Sequence, residues 1–584
     1  MSRKSLILVL ISITLFFVAY RDLIVSDMLV FGDLLPFPAD PKEAYNAFFY
    51  VWQSRYMGVH EPQTLSTLFI AVWTELFGGQ SVLAQKVYYF SLIPLAGIFF
   101  YYFMSKTVDT IALAKWPAAL AYAVNPFTLG QFLGGSPGIL LFYGVVPLLV
   151  LLLFKIVECP RLRQTVLFAL VFSLASAFMP HGPIILLPLV TVVYVVHLVV
   201  DRRPISHNLS ILIMLTLAYL VCFLVVNSWW FYVFRSASHI AEALPIPNLI
   251  DTVRATYSEA NTLTLLTLGK SDSALTNLLR ISLSLIAFSS LLFVGDRRRL
   301  HFTLQLWSIA FVFGIFIWLT HEGYTIPLFQ RLPVLFVFRN PVKLAMFLPF
   351  AYSGMLAVAA DGLSKLAKRV AAKVHGNRLW ALCAREASLI IAMTVSFSVI
   401  GSNPAFLSGD LGLSRARPDG YTLPPVYGEA MEWIKLTSST SDSFRILWLP
   451  YDPNTELSLV WSNPYAAIVP SGATSYGIST PGFEYWRDVM TFLCEDSEKT
   501  LGSLLAPLNV KYLVVNLSSS QKGECRFDGV FLKGSAADIT EIIDRQKDLE
   551  LVYQGNKFLI YENKAFIPKI TGMNIFSLNR SLVP

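Results

Sequence analysis

The residues whose types and spacing point to chemistry begin in the stretch Phe31-Gly32-Asp33-Leu34-Leu35-Pro36-Phe37-Pro38, just past the first membrane-length apolar segment. A carboxylate at Asp33 can act as a general base toward a hydroxyl group. Gly32 allows a tight backbone before it, and Pro36 and Pro38 stiffen the path after it. Asp40 and Glu43 are further acids in the same loop, and a later loop supplies cations at Arg331, Arg339 and Lys343. The run Arg339-Asn340-Pro341-Val342-Lys343 falls at the lip of a span, where a phosphate headgroup would rest. A base, a phosphate clamp and an apolar groove are what transfer from a lipid-linked phosphate donor needs. Phosphate is a good leaving group, so one base suffices where glycoside hydrolysis calls for paired carboxylates.

Each assignment has a structural rival. Asp33 also reads as a solvated loop residue, Asp40 as the cap of a helix starting near Pro41, and Arg339 and Lys343 as anchors to lipid headgroups. His181, between turn-forming residues, reads as a loop residue, as do His321 and Glu322. Glu242, Asp251 and Glu259 in the second long loop carry no ranking.

The elements that must position these residues are membrane helices. Of 584 residues, 55% are hydrophobic and 14% charged, with mean hydropathy +0.58, far more apolar surface than a water-soluble fold of this size needs. About eleven apolar segments of bilayer length are expected: 5–20, 82–104, a third ending near 124, a fourth ending at 154, 165–179, one reaching 200, 209–234, 274–294, 302–320, 344–361 and 387–401. Arg3 and Lys4 precede the first, which reads as a retained anchor, so the positive-inside rule puts the N-terminus inside and Asp33 outside. The basic clusters around Lys106, Lys155, Arg202, Arg297 and Lys365 then all fall on the inner side. Three long outer loops result, 21–80, 235–273 and 321–343. Within the first, 43–56 and 65–77 are expected as interfacial amphipathic helices.

Residues 1–402 thus form a transmembrane domain, and from about 403 the composition is that of a soluble domain, 403–584, expected on the outer side. Apolar runs at 444–449, 510–515, 549–553 and 558–561 predict strands, and 426–436, 483–493 and 537–546 predict helices, a mixed α/β fold. The expected location is the cytoplasmic (plasma) membrane.

Several function classes are excluded. The net charge of +7 comes from loop clusters that orient the chain, without a basic stripe interleaved with aromatics, so nucleic-acid binding is not expected. No Walker A loop, GxGxxG, GxSxG or HExxH occurs. The five cysteines lack zinc spacing; Cys494 and Cys525 could pair if their region is outside. Arg280 is the one charge well inside an expected span, which argues against a proton-coupled transporter.

Four stretches carry a family resemblance: Gly32-Asp33 to Pro41; Trp52 through Gly58 with Gln63; Asn125-Pro126-Phe127 with Gly134 and Pro147; and Phe338-Arg339-Asn340-Pro341-Val342-Lys343. The tail adds Leu508-Asn509-Val510-Lys511-Tyr512-Leu513-Val514-Val515 and Tyr561-Glu562-Asn563. With these, the chain resembles the alpha-(1→3)-arabinofuranosyltransferase-like family of GT-C membrane glycosyltransferases, and its end domain resembles that of YfhO-type membrane proteins. The resemblance implies a GT-C-like polytopic α-helical membrane protein using a polyprenyl-phosphate-linked sugar donor and an extracytoplasmic glycan or glycolipid acceptor. It maps the first-loop acid onto Asp33. A divalent metal, Mg or Mn, is compatible with the class, and no residue is assigned to it. A lipid or glycan transporter and a non-catalytic envelope-assembly protein are the alternatives.

Overall fold

The computed structural model describes residues 65–110, 112–133, 136–179, 181–201, 204–225, 274–321, 324–325, 342–373, 378–403, 425–437, 444–449, 500–506, 510–517, 525–527, 530–532 and 536–566, together with 21, 52–53 and 59–60. They fall into two compact units, 87–403 in one and 65–86 with 425–566 in the other.

The helices in chain order are α1 (Leu65–Leu76), α2 (Ser81–Thr107), α3 (Ala112–Ala123), α4 (Pro126–Leu133), α5 (Pro137–Glu158), α6 (Leu162–Phe178), α7 (Gly182–Asp201), α8 (Ile205–Val225), α9 (Ala274–Phe288), α10 (Arg297–His321), α11 (Val342–Ala345), α12 (Phe347–Lys373), α13 (Arg378–Gly401), α14 (Pro425–Thr437), α15 (Leu501–Leu505) and α16 (Ala536–Asp544). Among the described residues seven helices are long and apolar enough to cross a membrane, and 162–178 and 386–401 are shorter apolar helices. The protein is an integral membrane protein. Ten of the eleven expected segments coincide with helices, and the first, 5–20, lies outside the described residues.

The third segment departs from expectation. Twelve residues of α3 reach about 18 Å, short of a hydrocarbon core of roughly 30 Å. The chain breaks at Val124 and Asn125 and resumes as α4, because Pro126 lacks the N–H needed to continue the first helix but suits the first turn of a new one. Trp52–Gln53 also departs. It pairs antiparallel with Val59–His60 (β1 and β2) within the region expected as an amphipathic helix over 43–56. Aromatic and β-branched residues at these positions favour pairing over a helix. The second expected amphipathic helix forms as α1.

The helical core centres on α12, whose membrane-length window is almost wholly buried against α3, α9, α10 and α13. Small residues permit this close approach, Ala351, Gly354, Ala357 and Ala360 among them. Aromatic rings fill the adjoining layer, Phe100 against Tyr122 at 4.6 Å and Phe103 against Phe350 at 5.1 Å. The α5 start illustrates how tight the packing is. A Cβ added at Gly138 would fall inside the van der Waals shell of the Phe178 carbonyl oxygen, a backbone atom that cannot swing away. Gly138→Ala is therefore expected to destabilise by about 1–3 kcal/mol, read as a lower thermal midpoint in detergent; an unchanged midpoint would contradict this packing.

A buried ion group ties α10 to α12. Asp361 is fully buried and accepts from Arg299 Nη1 at 2.8 Å and Lys365 Nζ at 2.7 Å. Arg299 also donates to the Asp109 carbonyl and lies 3.5 Å from Asp296.

The second unit contains the expected strands. β3 (Arg445–Leu449), β4 (Val510–Asn516), β7 (Leu549–Gln554) and β8 (Phe558–Asn563) form a sheet in the order β3-β4-β8-β7, parallel only between β3 and β4. β5 (Cys525–Phe527) and β6 (Val530–Leu532) form a separate hairpin. The continuous apolar run of β4 suits an inner strand covered on both faces. The tail motif is explained structurally. Buried Asn563 donates to the carbonyls of Gly502 at 2.9 Å and Val510 at 3.0 Å, joining β8 to α15 and to the start of β4. Tyr561 donates to Asp544 at 2.7 Å, and burial with this carboxylate raises the phenol pKa above its ordinary range.

Candidate functional site

The site is best built from Asn125, which ends one helix and starts another. Its Oδ1 accepts from Thr128 N at 3.0 Å while its own N–H donates to Thr128 Oγ1 at 3.2 Å, a reciprocal cap for α4. Its amide nitrogen donates to the Tyr122 carbonyl at 2.7 Å and to Tyr143 Oη at 3.1 Å. The Tyr122 and Tyr143 rings stack at 4.2 Å, and each hydroxyl donates to the other's carbonyl. Asn125 is thereby held rigidly, and the sequence motif Asn125-Pro126-Phe127 is accounted for by a helix break.

The break opens onto a cavity of about 70 Å³, lined by the end of α3, the middle and last turns of α9, the first turns of α12 and the end of α13. One water needs roughly 10–15 Å³ on this measure, so several waters or a phosphoryl group would fit. Arg280 and Ser284 come from α9, Tyr352 and Ser353 from α12, and Ser402 and Asn403 from the end of α13. Arg280 Nε donates to the Ser402 carbonyl at 2.9 Å, across 122 residues of sequence. Asn403 is 2% exposed, and its Nδ2 donates to the Val399 carbonyl at 3.1 Å and Ser402 Oγ at 3.0 Å. Its Oδ1 has no hydrogen-bond partner among the described residues. A buried acceptor left unpaired costs about 1–3 kcal/mol, which a ligand hydroxyl or water would recover.

A guanidinium and a buried unpaired acceptor on residues that line one cavity suit a ligand that offers both an anion and a hydroxyl. Sequence reading singled out Arg280 as the intramembrane charge but gave it no role; such a charge is itself a signal of function. Asn403 carried no such signal, because its significance comes from burial.

Of the expected site residues, Lys343 is described. It is half-buried on α11, a short helix packed against α10 and α12, and is not part of the cavity lining. Asp33, Asp40, Glu43, Arg331 and Arg339 lie outside the described residues, as do Glu242, Asp251, Glu259, Glu322 and Cys494. The His181 carbonyl accepts from Ile185 N at 3.0 Å at the start of α7, a turn role. Among the described residues, no group of three or more His, Cys, Asp or Glu side chains is arranged to hold a metal ion.

Comparison with solved structures gives a match to the cryo-EM structure of the arabinofuranosyltransferase AftD from Mycobacteria, at TM-score 0.53 and 14% identity. It covers 96% of this chain, which spans 41% of that protein's length. ArnT from Cupriavidus metallidurans matches at TM-score 0.49 both in the apo state and bound to undecaprenyl phosphate. Identities are 11% and 12%, over 96% and 97% of this chain and 98% and 99% of theirs. No protein-family model and no curated protein sequence matches the chain.

Proposed function

We propose that this chain, which has a GT-C-type fold, is a membrane glycosyltransferase that moves a sugar from a polyprenyl-phosphate-linked donor to an extracytoplasmic glycan or glycolipid acceptor. The observation that carries the reading is the fold likeness to AftD, a named arabinofuranosyltransferase, across 96% of this chain. The cavity of Arg280 and Asn403 supports it chemically. It lies where α3 and α13 end and α12 begins, ends that the charge distribution expects outside, against the middle of α9.

In this reading Asp33 takes the proton of the acceptor hydroxyl as its oxygen attacks the anomeric carbon of the donor sugar. The bond from that carbon to the phosphate oxygen breaks, and the polyprenyl phosphate leaves with the electron pair. Arg339, Lys343 and Arg331 hold the departing phosphate, Asp40 and Glu43 are secondary acids, and the C-terminal domain binds acceptor. The protein resides in the plasma membrane with its N-terminus inside.

Purified protein in liposomes, given a polyprenyl-phosphate sugar and an acceptor glycolipid, is expected to leave free polyprenyl phosphate, detected by mass spectrometry. Movement of labelled donor across the bilayer without a change in its mass would replace the transferase reading with transport.

Arg280 has its own expected outcome in the same assay. Arg280→Gln removes one charge-assisted contact and should raise the donor KM by roughly tenfold, with Arg280→Lys recovering part of the loss. A fall in kcat at constant KM would place Arg280 elsewhere in the reaction.

A further inference from the structure

A second cavity, of about 180 Å³, lies among α2, α5, α7 and α10. Its rim carries three cations from three helices: Lys106 at the end of α2, Lys155 near the end of α5 and Arg298 in the first turn of α10. Among the described residues no salt bridge engages any of them. Exposed Glu158 is the one acid in the lining. This is the basic end of the helical unit. The adjacent Arg299 pairs with Asp361, twelve residues along α12 from Pro349 of the Arg280 cavity, a separation of about 18 Å.

The floor is polar and organised. Gln305, 4% exposed, donates through Nε2 to His301 Nε2 at 3.2 Å. His197, 1% exposed, has its ring centroid 6.0 Å from that of His301 and 6.0 Å from that of His207. His207 Nε2 in turn donates to the Val157 carbonyl at 3.1 Å. Leu151, Phe154 and Phe302 make the walls. Cations converging over a polar floor between apolar walls favour a tetrahedral anion carrying an apolar or neutral substituent.

We propose that this cavity binds a phosphate ester, with Lys106, Lys155 and Arg298 gripping the phosphoryl oxygens above the floor of Gln305 and the imidazoles. By the charge bias it opens to the cytoplasmic side, so its ligand is the headgroup of an anionic phospholipid or a soluble phosphate monoester. The site is independent of the transfer chemistry at the other helix ends.

The test uses full-length protein in dodecyl maltoside, in the Arg280→Gln background to weaken phosphate binding at the opposite cavity. Inorganic phosphate and glycerol 3-phosphate at millimolar concentration are followed by ³¹P NMR broadening. Native mass spectrometry compares retained phosphatidylglycerol with neutral diacylglycerol. Broadening without lipid preference identifies a soluble ester, and lipid preference identifies the headgroup; either supports the site. Lys106→Gln with Arg298→Gln, both at exposed positions, should weaken binding roughly tenfold for each cation removed. Neither broadening nor lipid preference before substitution, or equal binding after it, would overturn the proposal. With Arg280 intact, the Lys106→Gln, Arg298→Gln double variant should keep the transferase turnover of the unsubstituted protein, which separates this result from the fate of the glycosyltransferase reading.

Discussion

Asp33→Asn is expected to lower sugar transfer by roughly 10²–10⁴-fold, the contribution typical of a positioned general base. The substitution keeps the size of the side chain and its capacity for hydrogen bonding while removing the lone pair basic enough to take the acceptor proton. Donor binding should persist, because the cations at Arg339 and Lys343 are untouched, so the loss should appear in kcat. Asp40→Asn and Glu43→Gln are the internal comparison. If Asp40 caps a helix, its replacement costs about 1 kcal/mol of local stability and little turnover. The measurement is donor consumption by purified, folded variants in liposomes. Full turnover in the Asp33 variant would remove this mechanism, whichever residue then replaced it.

Asp361→Ala is expected to cost about 3 kcal/mol of stability, near the lower end for breaking a buried ion pair. Its carboxylate is wholly buried and serves both Arg299 and Lys365. Arg299 is 11% exposed, so losing Asp361 strands a guanidinium that water reaches poorly. Lys365 is 46% exposed and can turn to solvent, which limits its share of the loss. The origin of the penalty is separable. A double change, Arg299→Leu with Asp361→Leu, removes both charges and should recover much of the stability, as apolar replacements of buried pairs do. Thermal midpoints in detergent report both results. A double variant no more stable than Asp361→Ala would show that packing, and not the stranded charge, sets the cost.

The stabilising pair and the cavity at Arg280 differ in how far each could be read from sequence. Asp361 and Lys365 are one helical turn apart, a spacing that sets them on one helix face, although the expected tenth segment ends at Asp361. Arg299 reaches the same carboxylate from 62 residues away, and nothing local to either segment announces that. Likewise, the tail motif Tyr561-Glu562-Asn563 was visible as a pattern, but its purpose came from where Asn563 reaches, to carbonyls 61 and 53 residues distant.

Local sequence set the membrane class, the positions of ten of the expected membrane segments, the helices α1, α14 and α16, the basic end of the bundle and the four strands of the mixed sheet. Those features follow from local physics: a bilayer demands about twenty apolar residues in a row, and a buried strand demands a short apolar run. Only the tertiary structure decided that the third segment breaks at Asn125, that Arg280 meets Ser402 and Asn403, and that three lysine and arginine side chains surround a cavity floored by histidines. Such meetings depend on which helix packs beside which. That choice is made by the summed fit of many side chains across long sequence separations, and no single stretch of the chain encodes it.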